Sequence, residues 1–177
     1  LMRTFGETNS AVFDIMSKGF SGTANANGDL LKQVSEYATH FKEAGLQASE
    51  MMAIISEGNE MGVFDDNAAD AIKEGSIRLR EMTKGTADAL NAIGLSSATI
   101  QKEMAAGNIS MFQVMQLVSK QLKDIPATAP AVGTALADIF GGPGEDAVQF
   151  IRNLADININ LDEVAGQTGE AAEAQRR

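Results

Sequence analysis

Between Gly45 and Arg80 the chain reads as two amphipathic stretches joined by a short, capped turn, and this pattern limits the fold more than any other feature. The first, about Ala48 to Met61, carries Met51, Met52, Ile54 and Ile55; the second follows Asp65 and carries Ala68, Ala69, Ile72, Ile77 and Leu79. Apolar residues three and four apart share one face of a helix. The same spacing recurs almost throughout, and no segment keeps strict two-residue alternation for the length of a strand. The expectation is an all-α fold, a compact array of about 7–9 short helices in helical hairpins with no sheet.

Punctuation supplies the helix ends. Ser10 to Gly19 forms a helix that stops at its glycine, and Phe20 to Gly28 is turn chemistry. A second helix opens near Asp29 with Leu30, Leu31, Val34 and Tyr37, Phe41 being assigned to a separate turn that ends at Gly45. Asp65 is the expected N-cap of the helix after Gly62, because its side chain can accept from an otherwise unpaired amide. Thr86 to Ala92 is a shorter helix ending at Gly94; Ser96 caps Ala98 to Ala106, and Ser110 opens Met111 to Lys123, which Pro126 closes. Pro130 begins a helix that ends at Phe140, and Gly141-Gly142-Pro143-Gly144 breaks it, placing Glu145 and Asp146 in the first turn of the last helix. One echo is visible: Gly45-Leu46 recurs as Gly94-Leu95, and Gly58-Asn59 as Gly107-Asn108, 49 residues apart in both cases. Shared capping grammar of helical hairpins and a two-copy array both fit it.

Composition narrows function mainly by exclusion. With 44% hydrophobic residues the chain can build a core, but no Trp, one Tyr and nine Met make that core soft. A net charge of −10 with scattered basic residues argues against binding a phosphate backbone. Arg78, Arg80 and Lys84, the densest basic group, read as a solvated face. Without cysteine there is neither a disulfide framework nor a thiolate metal site. The longest apolar-looking run, Ala127 to Ala137, is half the roughly 20 residues a membrane helix needs.

Chemical motifs are equally sparse. Asp156 to Gln167 starts like a calcium loop, but Leu161 stands where glycine is required and Gln167 where a closing Glu is required. Asn25, Asn27, Asp29 and Glu36 have suitable offsets, yet Leu30 takes the glycine position, so turn formation and capping account for them. Neither Gly19-Phe20-Ser21-Gly22 nor Gly141-Gly142-Pro143-Gly144 precedes a Lys-Ser/Thr pair, and both read as helix breakers. His40 is the only histidine, which leaves no two-histidine zinc site, and there is no Gly-x-Ser-x-Gly elbow. Asp65-Asp66 and Glu145-Asp146 sit at expected helix starts, where capping explains them. Met104, Met111 and Met115 fall at helical spacing and read as core. No catalytic, cofactor-binding or metal residue is assigned, no cofactor is expected, and the chain is read as not an enzyme.

Several short runs carry a family resemblance. Lys18-Gly19-Phe20, Gly28-Asp29, Glu36-Tyr37, Phe41 to Leu46, Gly62 to Asp65, Asp70 to Glu74, Arg78 to Thr83 and Asp138 to Gly142 resemble the helical core segment of the tail tape measure proteins of long-tailed bacteriophages and prophages. The resemblance spans about Phe5 to Gly169 and brings no active-site residue with it. It implies a virion protein of the tail, present in the host cytoplasm during assembly, that sets tail length and occupies the tail tube. The partners it implies are other tape measure copies, the tail tube protein and tail assembly chaperones, with no nucleic acid and no membrane contact by this segment. Residues 1–165 are then a helical module of a longer tape measure chain, either undivided or split into sub-lobes 1–93 and 94–165, and 166–177 a frayed helix or a linker. The chain departs from a ruler of long continuous helix, since glycine and proline interrupt it too often for a sustained heptad seam. The alternative reading is a stand-alone helical protein-binding module.

Overall fold

Helix ends here are encoded within a few residues of themselves, and the structure follows them. The computed structural model describes residues 1–157, and every regular element among them is helical. In order these are α1 (Met2–Phe5), α2 (Asn9–Ser21), α3 (Leu30–Glu43), α4 (Ala48–Glu60), α5 (Asn67–Glu81), α6 (Lys84–Ala92), α7 (Ser97–Ala105), α8 (Met111–Lys123), α9 (Pro130–Ala135), a π-helical stretch (Leu136–Phe140), α10 (Gly141–Asp146) and α11 (Val148–Asn153). Single 3₁₀ turns at Thr23–Asn25 and Leu154–Asp156 complete the set. The frayed helix or linker expected at 166–177, and most of the rejected calcium loop at 156–167, lie outside the described residues.

Side-chain caps start several helices. Thr8 Oγ1 accepts from Ala11 N at 3.2 Å, and Ser96 Oγ accepts from Thr99 N at 3.2 Å. Ser110 and Gln113 close a reciprocal capping box, with Gln113 N donating to Ser110 Oγ at 3.1 Å and Ser110 N to Gln113 Oε1 at 2.9 Å. Each such cap is worth about 0.5–2 kcal/mol. Four helices end in the same Schellman turn, at Gly45, Gly62, Gly94 and Gly107, all with positive φ. In each, the amide after the glycine donates back five residues: Leu46 to Phe41, Val63 to Gly58, Leu95 to Leu90 and Asn108 to Glu103, at 2.9–3.0 Å. This explains half of the 49-residue echo. Gly45 and Gly94 do the same work, whereas Gly107 ends a helix and Gly58 is buried inside one.

Helix α5 is the axis of the fold. It packs against α3, α4, α8, α10 and the π-helical stretch, and it buries Ala68, Ala69, Ala71, Ile72, Gly75, Ser76 and Leu79. So many neighbours fit around one helix because its inward residues are small. A Cβ on Gly75 would lie 2.9 Å from Met115 Cε and 3.2 Å from Phe140 Cδ1, and one on Gly58 of α4 would lie 2.5 Å from Ala68 Cβ. Buried hydroxyls are satisfied: Ser76 donates to Ile72 O at 2.8 Å, Thr86 to Asp138 O at 3.1 Å, and Ser119 to Arg152 O at 3.0 Å. Met115 is fully buried, with Met104 and Met111 packed partly buried against the same core, which runs continuously from Ile15 to Leu154.

Four local expectations are overturned, each by a distant contact. Helix α2 does not stop at Gly19 but runs through it to Ser21, because Gly19 is a buried packing position where a Cβ would meet Leu30 Cδ2 at 2.8 Å. Phe41 belongs to α3 itself and is fully buried. Asp65 is not the N-cap; Asp66 takes that position without capping, its Oδ2 accepting from Tyr37 Oη at 2.7 Å, and Asp65 sits in the left-handed region at φ 54°. The Gly-Gly-Pro-Gly run does not break the chain out of helix. Gly141 (φ 68°, ψ −165°) turns the π-helical stretch into α10 while passing close over α5, where a Cβ would lie 3.1 Å from Arg78 Nη2. Glu145 and Asp146 consequently end α10 rather than open the last helix, and both are exposed.

Candidate functional site

Most charged side chains with chemical potential are spent on the fold. Tyr37 from α3 donates to Asp66 at the start of α5, and burial followed by that hydrogen bond pushes its phenol far above the ordinary value. Lys73 lies 2.5 Å from Asp70 and 3.6 Å from Glu74, with its ammonium 5.6 Å from the Tyr37 ring centroid. Its pKa is raised, chiefly by the hydrogen bond to Asp70. This cluster clamps α3 onto α5. No group in it is left as a free base or nucleophile.

The other flagged residues behave similarly. His40 sits near the end of α3, half-buried, with Nδ1 3.8 Å from Glu43 Oε2, while the same oxygen takes Arg80 Nη1 at 3.0 Å. Arg78 reaches Glu74, and Lys84 reaches Asp88, so the densest basic group is paired with carboxylates of the molecule itself. Asn25 Oδ1 accepts from Leu30 N at 3.3 Å, Asp29 Oδ2 accepts from Gln33 Nε2 at 3.0 Å, and Asn27 donates to Asn59 Oδ1 at 3.2 Å. Those residues form a turn and latch it to α4. Among the described residues no three His, Asp or Glu side chains stand close enough to hold a metal ion, and no helix is long and apolar enough to cross a membrane.

What remains is surface suited to contact, and the sequence reading did not find it. A cleft of about 190 Å³ opens between α2 and α4, with Ile15, Gly19 and Gly22 on one wall and Met52, Ala53 and Ser56 on the other. Lys18 borders it, and its Nζ is buried with no hydrogen-bond partner among the described residues. On the opposite face of α2, Phe13 and Phe20 stand seven residues apart, 60% and 44% exposed. The loop after α4 carries Phe64, 82% exposed. The readable signal was there: small residues at helical spacing on two adjacent helices, Gly19 and Gly22 facing Ala53 and Ser56. By sequence Gly19 and Gly22 read as helix breakers.

Residues 1–141 match the protein family described as phage-related minor tail protein. That stretch runs from α1 to the glycine that begins α10, most of the chain, and the chain belongs to this family. No curated protein and no solved structure matches it.

Proposed function

We propose that this minor tail protein chain is a segment of a tape measure protein, the virion component that occupies the tail tube and sets tail length. The carrying observation is the family match over 1–141, within which fall nearly all the runs that resemble the tape measure core, from Lys18-Gly19-Phe20 to Asp138-Ile139-Phe140. The helical architecture and the internal pairing of its charges support a structural role over a catalytic one. Its partners are then other copies of the tape measure chain, the tail tube protein and, in the host cytoplasm, assembly chaperones; contact with nucleic acid or membrane by this segment is not part of the proposal.

A folded chain of this size has a radius of gyration of about 16 Å, whereas a single helix with its side chains is only about 10–12 Å across. A ruler inside a narrow tube therefore requires this module to straighten. The four Schellman glycines are where that change begins, each converting its positive φ together with the non-helical residue that follows it, Gln47, Asp65, Ser96 or Ser110. A core of aliphatic and thioether side chains yields to such a change more readily than an aromatic one.

In-frame deletion of Asp65 to Ile93 from the phage gene tests the proposal. Tails shorten by about 44 Å if the region is continuous helix at about 1.5 Å per residue. Unchanged tail length in assembled virions rejects a ruler role for these residues. The stand-alone binding module is favoured by the open cleft beside Lys18, and the length of the parent reading frame separates the two readings, a tape measure gene being very long.

A further inference from the structure

Helix α7 is held more loosely than the helices around it. Of its nine residues only Ile100 is buried, with Met104 partly covered. Every other helix from α2 to α11 buries at least two. It packs chiefly on α6. Among the described residues a single side-chain hydrogen bond ties it to another helix, Asn91 Oδ1 of α6 accepting from Ser97 N at 3.0 Å. Glu103 Oε2 accepts from Asn108 Nδ2 at 2.8 Å, but that bond stays within the turn that ends α7. An isolated helix needs about 12–15 residues to be even marginal in water, so α7 keeps its shape only while it is docked.

Both flanking turns have room to move. They are the Schellman turns at Gly94 (φ 90°) and Gly107 (φ 75°). A Cβ on Gly94 would meet only Gln121 Oε1, at 3.8 Å, and one on Gly107 would meet nothing within 4 Å. Glycine crosses between positive and negative φ at little steric cost, so these two turns are hinges with no neighbour pressed against them.

The helix that follows is fixed at its first turn. Phe112 N, an amide that α8 cannot pair within itself, donates to Ala44 O at the end of α3, at 3.0 Å. Phe112 and Ala44 are both buried. A Cβ on Gly45 would lie 2.6 Å from Ser110 Cβ, so the end of α3 and the start of α8 touch on both sides of that hydrogen bond. The Gly45 turn is therefore closed off by α8, unlike those at Gly94 and Gly107.

We infer that residues 95–109 are a strap, α7 with its two hinge turns, which opens from the compact fold by itself while α8 stays pinned to α3 at Phe112, and that this opening is the first step in straightening the module. Its place as a first step rests on the ruler proposal; the opening itself does not.

Amide hydrogen exchange of the purified chain, followed residue by residue by NMR under conditions where the rate reports the opening equilibrium, tests the strap. Amides from Ile100 to Asn108 exchange at least about 100-fold faster than the buried amides of α5. The boundary falls before Phe112, whose amide keeps the α5 rate. Ile72→Ala, in the part that stays folded, speeds exchange in α5 and at Phe112 by roughly 100-fold, the equivalent of about 3 kcal/mol. It leaves the strap at the wild-type rate, because a strap that opens alone does not expose position 72. Ile72→Val, a smaller change that keeps the fold, gives the same split at about fivefold. Strap amides that exchange with α5, a Phe112 amide that exchanges with the strap, or strap amides accelerated as much as α5 in the Ile72 variants overturn the inference. Residues 95–109 lie outside the Asp65 to Ile93 deletion, so the strap and the ruler role can fail separately.

Discussion

Two parts of this molecule use small helical residues in opposite ways. Around α5, each gap left by glycine or alanine is filled: Met115 and Phe140 reach Gly75, and Ala68 closes on Gly58. Between α2 and α4 a cleft lined by Gly22, Ala53 and Ser56 stays unfilled, bordered by Lys18, whose amine has no hydrogen-bond partner among the described residues. Small residues therefore permit close approach without ensuring it. Whether a helix face becomes core or cleft depends on whether another element arrives to cover it, and α5 has five partners where α2 leans mainly on α4 and the Thr23–Asn25 turn.

The contrast can be broken most directly by cavity formation. Ile72→Ala, inside the ring around α5, should cost about 3 kcal/mol, within the range of about 2–5 for buried large-to-alanine changes. Ile15→Ala, on the cleft wall, should cost about half as much or less, because its site already faces open space. Urea melts of both variants decide it, and equal losses would mean that the cleft is closed in solution.

Glycine replacements sharpen the same point. Gly58→Ala forces a Cβ to 2.5 Å from Ala68 Cβ, an atom with no freedom to swing aside, so a net loss of about 1–2 kcal/mol is expected after the gain in helix propensity. Gly19→Ala meets only the far ends of Leu30 and Met52 side chains, at 2.8 and 3.2 Å, and should be close to neutral. Thermal melts in which Gly19→Ala loses as much as Gly58→Ala would contradict the distinction.

The smallest effect concerns the clamp between α3 and α5. Tyr37→Phe removes one hydrogen bond to a carboxylate and should cost about 1–2 kcal/mol at neutral pH. The phenol's raised pKa adds a pH signature. Above the ordinary tyrosine value of about 10 the unfolded chain loses this proton while the folded chain keeps it, so wild-type stability declines as pH rises through that range. Denaturant midpoints compared across alkaline pH should show a shallower decline in Tyr37→Phe; parallel declines would place the sensitivity elsewhere.

Much of the fold was readable because its determinants are local. The capping box of Ser110 with Gln113, the Ser96 cap and the glycine stops at Gly45 and Gly94 act across three to five residues, so the chain alone locates α7 and α8 to within a residue. The interaction surface was not readable from the same marks. A glycine that ends a helix and a glycine that admits a neighbour look identical in sequence, and exposure of Phe64 depends on what does not pack over it.

What the sequence by itself determined is the helical class, the helix ends marked by Ser96, Ser110, Gly45 and Gly94, and the resemblance to phage tail proteins that the family match later supported. Only the tertiary structure decided that Gly19 and Gly141 are packing positions, that Asp66 serves Tyr37 rather than a cap, and that α2 and α4 leave a cleft beside Lys18. The reason is distance along the chain. A cap is satisfied by atoms three residues away, but the partners that settle those other positions, Leu30 for Gly19, Arg78 for Gly141 and Tyr37 for Asp66, are brought near only when the helices have packed.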